Sequence, residues 1–121
     1  GVVEKDIFII NAPLGRNKKD YKQMVNPMNP RGELRDALTE VRVLSRGHST
    51  TVVSLTPKTG RTHQLRAHLS HIGHPICGDV AYGSNVESPR IMLHAESLSF
   101  LCDEEWKSFS APVPDDFFPS K

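Results

Sequence analysis

Long apolar runs are missing from this sequence. Nothing in it approaches the roughly 18–20 consecutive apolar residues of a membrane-spanning helix. The first ten residues also lack the basic-then-apolar layout of a signal peptide. Cysteine is scarce as well: Cys77 and Cys102 are the two thiols, too few for the disulfide framework of a small secreted domain. These absences predict a soluble intracellular protein whose cysteines are free.

Patterns for a metal site or an activated nucleophile are missing too. Candidate zinc ligands are present, namely His63, His68, His71, His74 and Cys77. Their spacing does not suit zinc, because His68 and His71 can share a helix face but His63 points elsewhere and His74 lies beyond the helix end. No C-x-x-C, H-E-x-x-H or nucleophile-elbow pattern occurs. We therefore expect structural, hydrogen-bonded histidines and no metal.

The net charge is small, +1 over 121 residues, but it is unevenly distributed. Residues 1–66 contain 12 Lys and Arg against 6 Asp and Glu, whereas residues 67–121 contain 3 against 8. A basic half of this kind is typical of a protein that binds a polyanion. Solvated side chains on exposed strands and loops would give the same count. The length suits one compact domain that buries roughly two-thirds of its unfolded surface.

Segments rich in β-branched and aromatic residues predict an antiparallel or mixed sheet. The predicted strands are Val2–Ile10, Ala37–Leu44, Thr51–Thr56, Ile91–Leu101 and Glu105–Ser110. The second and third of these form a hairpin. Leu14–Arg35 is a long polar connection, and a connection of that length is usually functional or mobile. It contains the basic residues Arg16, Lys18, Lys19 and Lys22. With one prominent helix, the predicted fold class is α+β.

The helix is predicted to follow a turn at residues 57–60, with Thr62 able to cap its start. Its buried stripe, spaced at i, i+4 and i+7, consists of Leu65, Leu69 and Ile72. Gly73 is a good helix terminator, and Pro75 prevents continuation. Arg66 falls on the flank of the stripe, at the boundary of the core.

A guanidinium at that boundary is well placed to pair with a carboxylate or to bind a phosphate bidentately. Arg61 and Lys58 stand near the helix N-terminus, where free backbone N–H groups also favour anions. An ordinary structural ion pair is the alternative for Arg66. The residues alone leave both interpretations open.

The segment from Thr59 to Gly83 resembles the signature of RluA-type RNA pseudouridine synthases. The similar blocks are Thr59–Leu69, Gly73–Ile76 and Gly78–Gly83, followed by Arg90–Ala95 with Leu98 and Phe100. Phe109, Ala111, Pro112 and Pro114 resemble the end of the family's domain, and Ala12–Leu14, Asp36, Ala37 and Thr39 fit its upstream pattern. The resemblance therefore covers nearly the whole chain.

This resemblance implies an enzyme that isomerises uridine to pseudouridine in structured RNA, such as ribosomal or transfer RNA, without cofactor or metal. The target uridine is flipped out of the helix, because its glycosidic bond cannot be reached within a base stack. A catalytic aspartate then attacks the nucleotide. In the family, the second arginine of the motif pairs with that aspartate, and Arg66 holds this position. An arginine there would keep the carboxylate ionised and competent.

The family's nucleophile sits in an Arg-Leu-Asp motif followed by Thr-Ser-Gly, and this sequence contains neither. Residues 32–36 have the wrong order, and Asp36 instead fits the linker pattern. Tyr82 belongs to the Gly78–Gly83 turn and does not replace the family's active-site tyrosine. Residues 1–121 are thus expected to be the C-terminal portion of a catalytic domain, inactive without the N-terminal half that carries the aspartate.

Other residues receive roles by the same resemblance. Arg61, His63 and Gln64 border the expected pocket and are candidates to hold the RNA, or else to stabilise the turn and helix entry. Leu93 is expected to form an apolar wall for the target base. Positive charge, and not the resemblance, makes Lys58 and the basic connection with Arg16, Lys18 and Lys19 candidate RNA contacts. Two alternatives remain: a non-catalytic RNA-binding assembly factor with the synthase fold, and an unrelated α+β binding domain.

Overall fold

A computed structural model gives the structure of the protein. It describes residues 1–16, 34–86 and 88–95 in full, and the backbone alone of 23–25, 97–102 and 105–110. Within these ranges no helix is long and apolar enough to cross a membrane.

The central sheet has three strands, β1 (Ile7–Asn11), β4 (Leu38–Arg46) and β5 (Thr51–Pro57). They are antiparallel and lie in the order β1-β4-β5. The predicted hairpin at 37–56 is confirmed within a residue or two, with a shift in register between Val43 and Ser45. On β1, Phe8 and Ile10 face the core while Ile7 and Ile9 remain half or more exposed, as alternation requires.

The prediction that the first strand starts at Val2 is wrong, because β1 begins at Ile7. Side chains, not a strand ladder, hold the preceding residues. Thr51 Oγ1 accepts a bond from the Val3 backbone N–H at 2.9 Å and donates to the Gly1 carbonyl at 2.9 Å. Arg46 Nε donates to the Val3 carbonyl at 2.8 Å. The segment therefore lies along the β4–β5 hairpin without joining the sheet.

Two small antiparallel pairs accompany the central sheet. β2 (Leu14–Arg16) pairs with β3 (Gln23–Val25), so the predicted connection at 14–35 contains a hairpin that its polar sequence did not indicate. β6 (Ser97–Cys102) pairs with β7 (Glu105–Ser110), and the bounds predicted for β7 are confirmed. The strand predicted at Ile91–Leu101 begins six residues late, because Met92 N–H instead donates to the Cys77 carbonyl at 2.9 Å.

The helix α1 spans Gln64–His71. Its N-cap is His63 in the left-handed region (φ 53°) with no side-chain cap, so the prediction of Thr62 as cap is wrong. The predicted stop is confirmed, since Ile72 is the C-cap and Gly73 follows with φ 84°.

The helix packs against two apolar clusters. Leu69 joins a cluster with residues of the central sheet and of the loop after the helix; its buried members are Ile10, Ala12, Val41, Leu69 and Ile76. The neighbouring face of α1 contributes Ala67 to a second cluster with Leu14, Ala37 and Tyr82. The first cluster confirms that Leu69 faces the core, and Ile72 packs at its edge. A small antiparallel sheet carrying one helix is consistent with part of an α+β domain.

Candidate functional site

Arg66 makes a bidentate ion pair with Asp79. Its Nε donates to Oδ2 and its Nη2 to Oδ1, each at 2.9 Å. The Asp79 side chain is fully buried, whereas the Arg66 side chain is 20% exposed. The hydrogen bonds to Asp79 raise the pKa of Arg66 above its ordinary value, and partial burial opposes them. Arg66 is thus a fixed cation at the border between the core and solvent, as its helical position predicts.

A tight turn positions Asp79. Its backbone N–H donates to the Ile76 carbonyl, and its own carbonyl accepts from the N–H groups of Tyr82 and Ser84. Gly78 precedes it with φ 83°, and a Cβ at Gly78 would lie 2.2 Å from the Arg90 carbonyl oxygen. Both the conformation and the close backbone approach require glycine there. The turn therefore fixes the carboxylate that receives Arg66.

Tyr82 lies next to Arg66 on the 3-10 turn Val80–Tyr82. The Arg66 guanidinium carbon is 4.9 Å from the centroid of the Tyr82 ring, within the range of a cation–π contact. The Tyr82 hydroxyl is 3.2 Å from Nδ1 of His63, and the two rings meet edge-to-face at 6.0 Å. Ser70 Oγ anchors the turn by donating to the Tyr82 carbonyl at 2.7 Å. His63 and Arg66, both predicted site residues, are thus brought together through Tyr82.

Gln64 is 3% exposed, and its side-chain amide is used within the protein. Its Oε1 accepts bonds from the Thr59 hydroxyl at 2.6 Å and the Arg61 backbone N–H at 3.1 Å. Its Nε2 donates to the Leu38 carbonyl and to Thr39 Oγ1, each at 2.9 Å. These contacts tie the start of α1 to β4, which favours the stabilising role over an RNA contact for this residue.

His68 completes the same buried network. Its exposure is 0%; Nδ1 is 2.8 Å from Thr39 Oγ1 and Nε2 is 2.8 Å from the Ala12 carbonyl. The carbonyl accepts only from an N–H, so Nε2 carries the proton and Nδ1 accepts from the Thr39 hydroxyl. Burial lowers the pKa of His68, as does the nearby His71, while the bond to Ala12 opposes them. A neutral imidazole therefore joins α1 to β4 and to the segment after β1.

The other predicted basic contacts are dispersed. Lys58 Nζ lies 3.8 Å from Glu40 Oε2 in a half-exposed pair. Arg61 Nε donates to the Asp36 carbonyl at 2.8 Å, which holds the turn before α1 against the β4 entry. Arg16 is exposed at the end of β2, and Lys18 and Lys19 lie outside the described residues.

Leu93 lines a groove of about 560 Å³ between β5, α1 and the segment 91–95. Its side chain is 38% exposed, and the other apolar residues that line the groove include Phe8, Leu55, Leu65, Leu69, Ile72 and Met92. The predicted stripe residue Leu65 thus faces this groove. Arg66 is not among the lining residues.

No three His, Cys, Asp or Glu side chains converge as a metal site within the described ranges. The histidines of the segment instead have separate environments: His63 contacts Tyr82, His68 is buried, and His71 is exposed on the helix. The thiol of Cys77 is free.

Sequence reasoning did not assign functional roles to Asp79 and Tyr82. Both were visible as members of the Gly78–Gly83 block, and Asp79 is an acidic residue within an apolar stretch. That pattern is the available signal, because a carboxylate among buried residues needs a cationic partner. The arginine that pairs with it lies thirteen residues away on α1.

Comparison with known proteins identifies close similarity to one family. A family model described as RNA pseudouridylate synthase matches residues 2–71. The chain is 51% identical over 121 residues to a protein of Pasteurella multocida named dual-specificity RNA pseudouridine synthase RluA, covering 93% of this chain and 52% of the relative. It is 46% identical to the protein of the same name from Vibrio cholerae, covering 98% and 49% respectively. The chain thus spans about half the length of these relatives.

A solved structure has the same fold. Human RNA pseudouridylate synthase domain containing 1 superimposes with a TM-score of 0.79 at 32% sequence identity. The match covers 93% of this chain and 50% of the human chain. The small sheet and helix described above therefore correspond to about half of a longer chain of known structure.

Proposed function

Because the chain belongs to the RNA pseudouridylate synthase family, we propose that the complete protein isomerises uridine to pseudouridine in structured RNA. Residues 1–121 would form the C-terminal half of its catalytic domain. In support, the chain matches only about half of its relatives and contains no Arg-Leu-Asp motif. The names of those relatives include dual specificity; for this chain we propose ribosomal or transfer RNA as substrate, inside the cell.

The geometry of Arg66 carries this proposal. A guanidinium has five N–H donors arranged along its edges. Asp79 takes the edge formed by Nε and Nη2. The edge formed by Nη1 and Nη2 still has donors, and the side chain is 20% exposed. That edge can receive a second carboxylate, the aspartate nucleophile of the other half.

Arg66 would act on this aspartate in two ways. Its positive charge stabilises the ionised carboxylate and lowers the carboxyl pKa, so that the nucleophile is ready at neutral pH. Its fixed geometry holds the attacking oxygen in place. Asp79 keeps the guanidinium still, because the bidentate pair removes the rotational freedom of a long side chain. The reaction rearranges bonds within one nucleotide, so this half needs to supply no cofactor.

The RNA would approach the exposed side of the group formed by Arg66, Asp79, Tyr82 and His63. His63 is exposed beside Tyr82, and Arg61 is half-buried three residues before the helix begins at Gln64. We propose these two residues as contacts to the nucleotide or its backbone, with Lys58 and the basic residues Arg16, Lys18 and Lys19 as outer contacts to phosphates. Gln64 would contribute by holding the turn that presents Arg61 and His63.

The other half of the domain would pack against the apolar groove. The groove holds about 560 Å³ beside β5, an edge strand of the described sheet. An apolar groove next to an open sheet edge requires a covering element. Leu93 would then form its wall for the target base only in the assembled domain.

Tritium release tests the proposed function. Uridine labelled with ³H at C5 loses the label to water when C5 becomes bonded to the sugar. The complete protein is expected to release tritium from cellular RNA, whereas the 121-residue chain alone should not. Release by the chain alone would overturn the incomplete-site proposal. RNA binding by the complete protein without any release would instead support the non-catalytic RNA-binding factor.

A further inference from the structure

Tyr82 contacts the two site residues for which separate roles are proposed. The centroid of its ring lies 4.9 Å from the Arg66 guanidinium carbon, and its hydroxyl lies 3.2 Å from His63 Nδ1. Tyr82 is 8% exposed and belongs to the buried cluster with Leu14 and Ala67.

The ring face restricts the Arg66 guanidinium in the direction that Asp79 does not. The bidentate pair fixes the guanidinium within its plane, since both bonds lie along one edge. The Tyr82 ring lies under the guanidinium carbon, so it attracts the cation and limits its movement toward the ring. The edge proposed for the nucleophile is therefore aimed by two constraints together.

The hydroxyl acts on His63, which has an unusual backbone. A positive φ is uncommon outside glycine, although Asn, Asp and His adopt it more often than other residues. His63 has φ 53° at the helix start and is exposed, and its side chain makes no helix-capping bond. The imidazole instead contacts Tyr82 through the hydroxyl and edge-to-face with the ring. A costly conformation kept at an exposed position suggests that the direction of the imidazole matters.

We infer that Tyr82 is a positioning residue that aims Arg66 with its ring and His63 with its hydroxyl. The inference rests on the proposed function in one respect, namely that Arg66 serves the nucleophile and His63 serves the RNA. It adds that these two roles are coupled through one buried side chain. The ring should therefore influence the chemical step, and the hydroxyl should influence RNA affinity.

Single variants of the complete protein separate the effect of the Tyr82 ring from the effect of its hydroxyl. Tyr82→Phe keeps the ring and removes the hydroxyl, so KM should rise about fivefold, which corresponds to about 1 kcal/mol. This rise in KM should exceed any fall in kcat. Tyr82→Leu removes the ring as well, and kcat should fall tenfold or more. Val80→Ala, a change at a 76% exposed site in the same turn, is the matched control. A loss of kcat in Tyr82→Phe equal to that in Tyr82→Leu would overturn the inference.

A double-mutant cycle on RNA affinity tests the coupling without catalysis. His63→Asn tolerates the positive φ and removes the imidazole. If the hydroxyl acts through His63, Tyr82→Phe should weaken RNA binding in the original protein but not in the His63→Asn background. Additive losses would contradict the inference. This arm remains decisive if Tyr82→Leu fails to fold.

The rate of hydrogen exchange of the Arg66 Nε–H, measured by NMR, is a second test that does not require catalytic activity. It should be slow in the original protein and in Tyr82→Phe, and at least tenfold faster in Tyr82→Leu. Equal protection in all three would refute the aiming role of the ring. Absence of tritium release from the complete protein would count against the proposed function, while these two readings would still decide the role of Tyr82.

Discussion

Arg66 and Asp79 are joined by two parallel N–H···O bonds of 2.9 Å, and the carboxylate has no exposure to solvent. The pair therefore has a structural role in addition to any role in chemistry. Removing the arginine would leave a buried, unpaired carboxylate, which is among the more costly changes a fold can suffer. Loss of activity in an Arg66 variant would thus have two possible origins, and they must be separated.

Arg66→Ala should lower the free energy of unfolding by about 3–5 kcal/mol, because Asp79 loses its counter-ion. The double variant Arg66→Met/Asp79→Leu removes both charges and should recover most of that loss. Chemical denaturation of the two variants checks this. The matched control is Arg42→Ala, an arginine exposed on β4, which should change stability by less than about 0.5 kcal/mol.

The same double variant should not recover activity. If Arg66 holds the nucleophile, pseudouridine formation by the complete protein should fall about 100-fold or more in both variants, as for the loss of one preorganised donor. Substantial turnover in the refolded double variant would show that Arg66 serves stability alone.

The buried His68 predicts a specific loss of stability in mild acid. Its pKa is lowered in the folded protein because the imidazole is buried. The unfolded chain therefore binds a proton more readily, and the stabilisation present above the ordinary pKa of about 6.5 is lost as pH falls below it. Of the groups around it, His71 is the one whose charge adds to this effect.

Denaturation at pH 7.5 and 5.5 measures this loss. His68→Gln should be less stable than the original protein at pH 7.5, but the gap should narrow at pH 5.5. His48→Gln, at an exposed loop position, should leave the pH dependence unaltered. A constant gap between the original protein and His68→Gln would show that His68 does not titrate with folding.

Gly78→Ala should destabilise the protein by several kcal/mol. The new Cβ would meet the Arg90 carbonyl oxygen at 2.2 Å, and the positive φ adds to the cost. Gly60→Ala is the control, since no atom lies within 4 Å of a Cβ there. Thermal melts check both. Similar melting temperatures for the two variants would mean that the loop at residue 90 moves aside freely.

The basic connection predicts a change in the salt dependence of RNA binding. Neutralising Arg16, Lys18 and Lys19 together should reduce the slope of log affinity against log salt, by about 0.7–0.9 for each phosphate contact removed. Titrations at several salt concentrations check the slope. An unchanged slope would show that these side chains are merely solvated.

Much of the framework was predictable from local sequence. The β4–β5 hairpin and β7 follow from their β-branched and aromatic residues, and the end of α1 follows from Gly73. The start of α1 was not predictable in the same way. Gln64 reaches back to the Arg61 backbone and across to β4, so the turn is stabilised by tertiary contacts instead of a Thr62 cap.

In the candidate site, too, some features could be predicted from local sequence and others could not. The position of Arg66 at the core boundary follows from helical periodicity. Its partner in the described chain does not, because Asp79 is brought to it by the packing of a separate turn. The role of Tyr82 likewise depends on contacts with Arg66 of α1 and with His63, the N-cap of that helix. Long-range pairings of this kind leave no periodic signal in one sequence.

The central claim, that this chain holds half of an active site, is tested most directly by one distance. A crystal structure of the complete protein should place a second carboxylate about 3 Å from the Arg66 guanidinium. That carboxylate should belong to the aspartate of an Arg-Leu-Asp motif outside residues 1–121. An Arg66 that contacts Asp79 alone, with no other carboxylate within about 4 Å, would contradict the account.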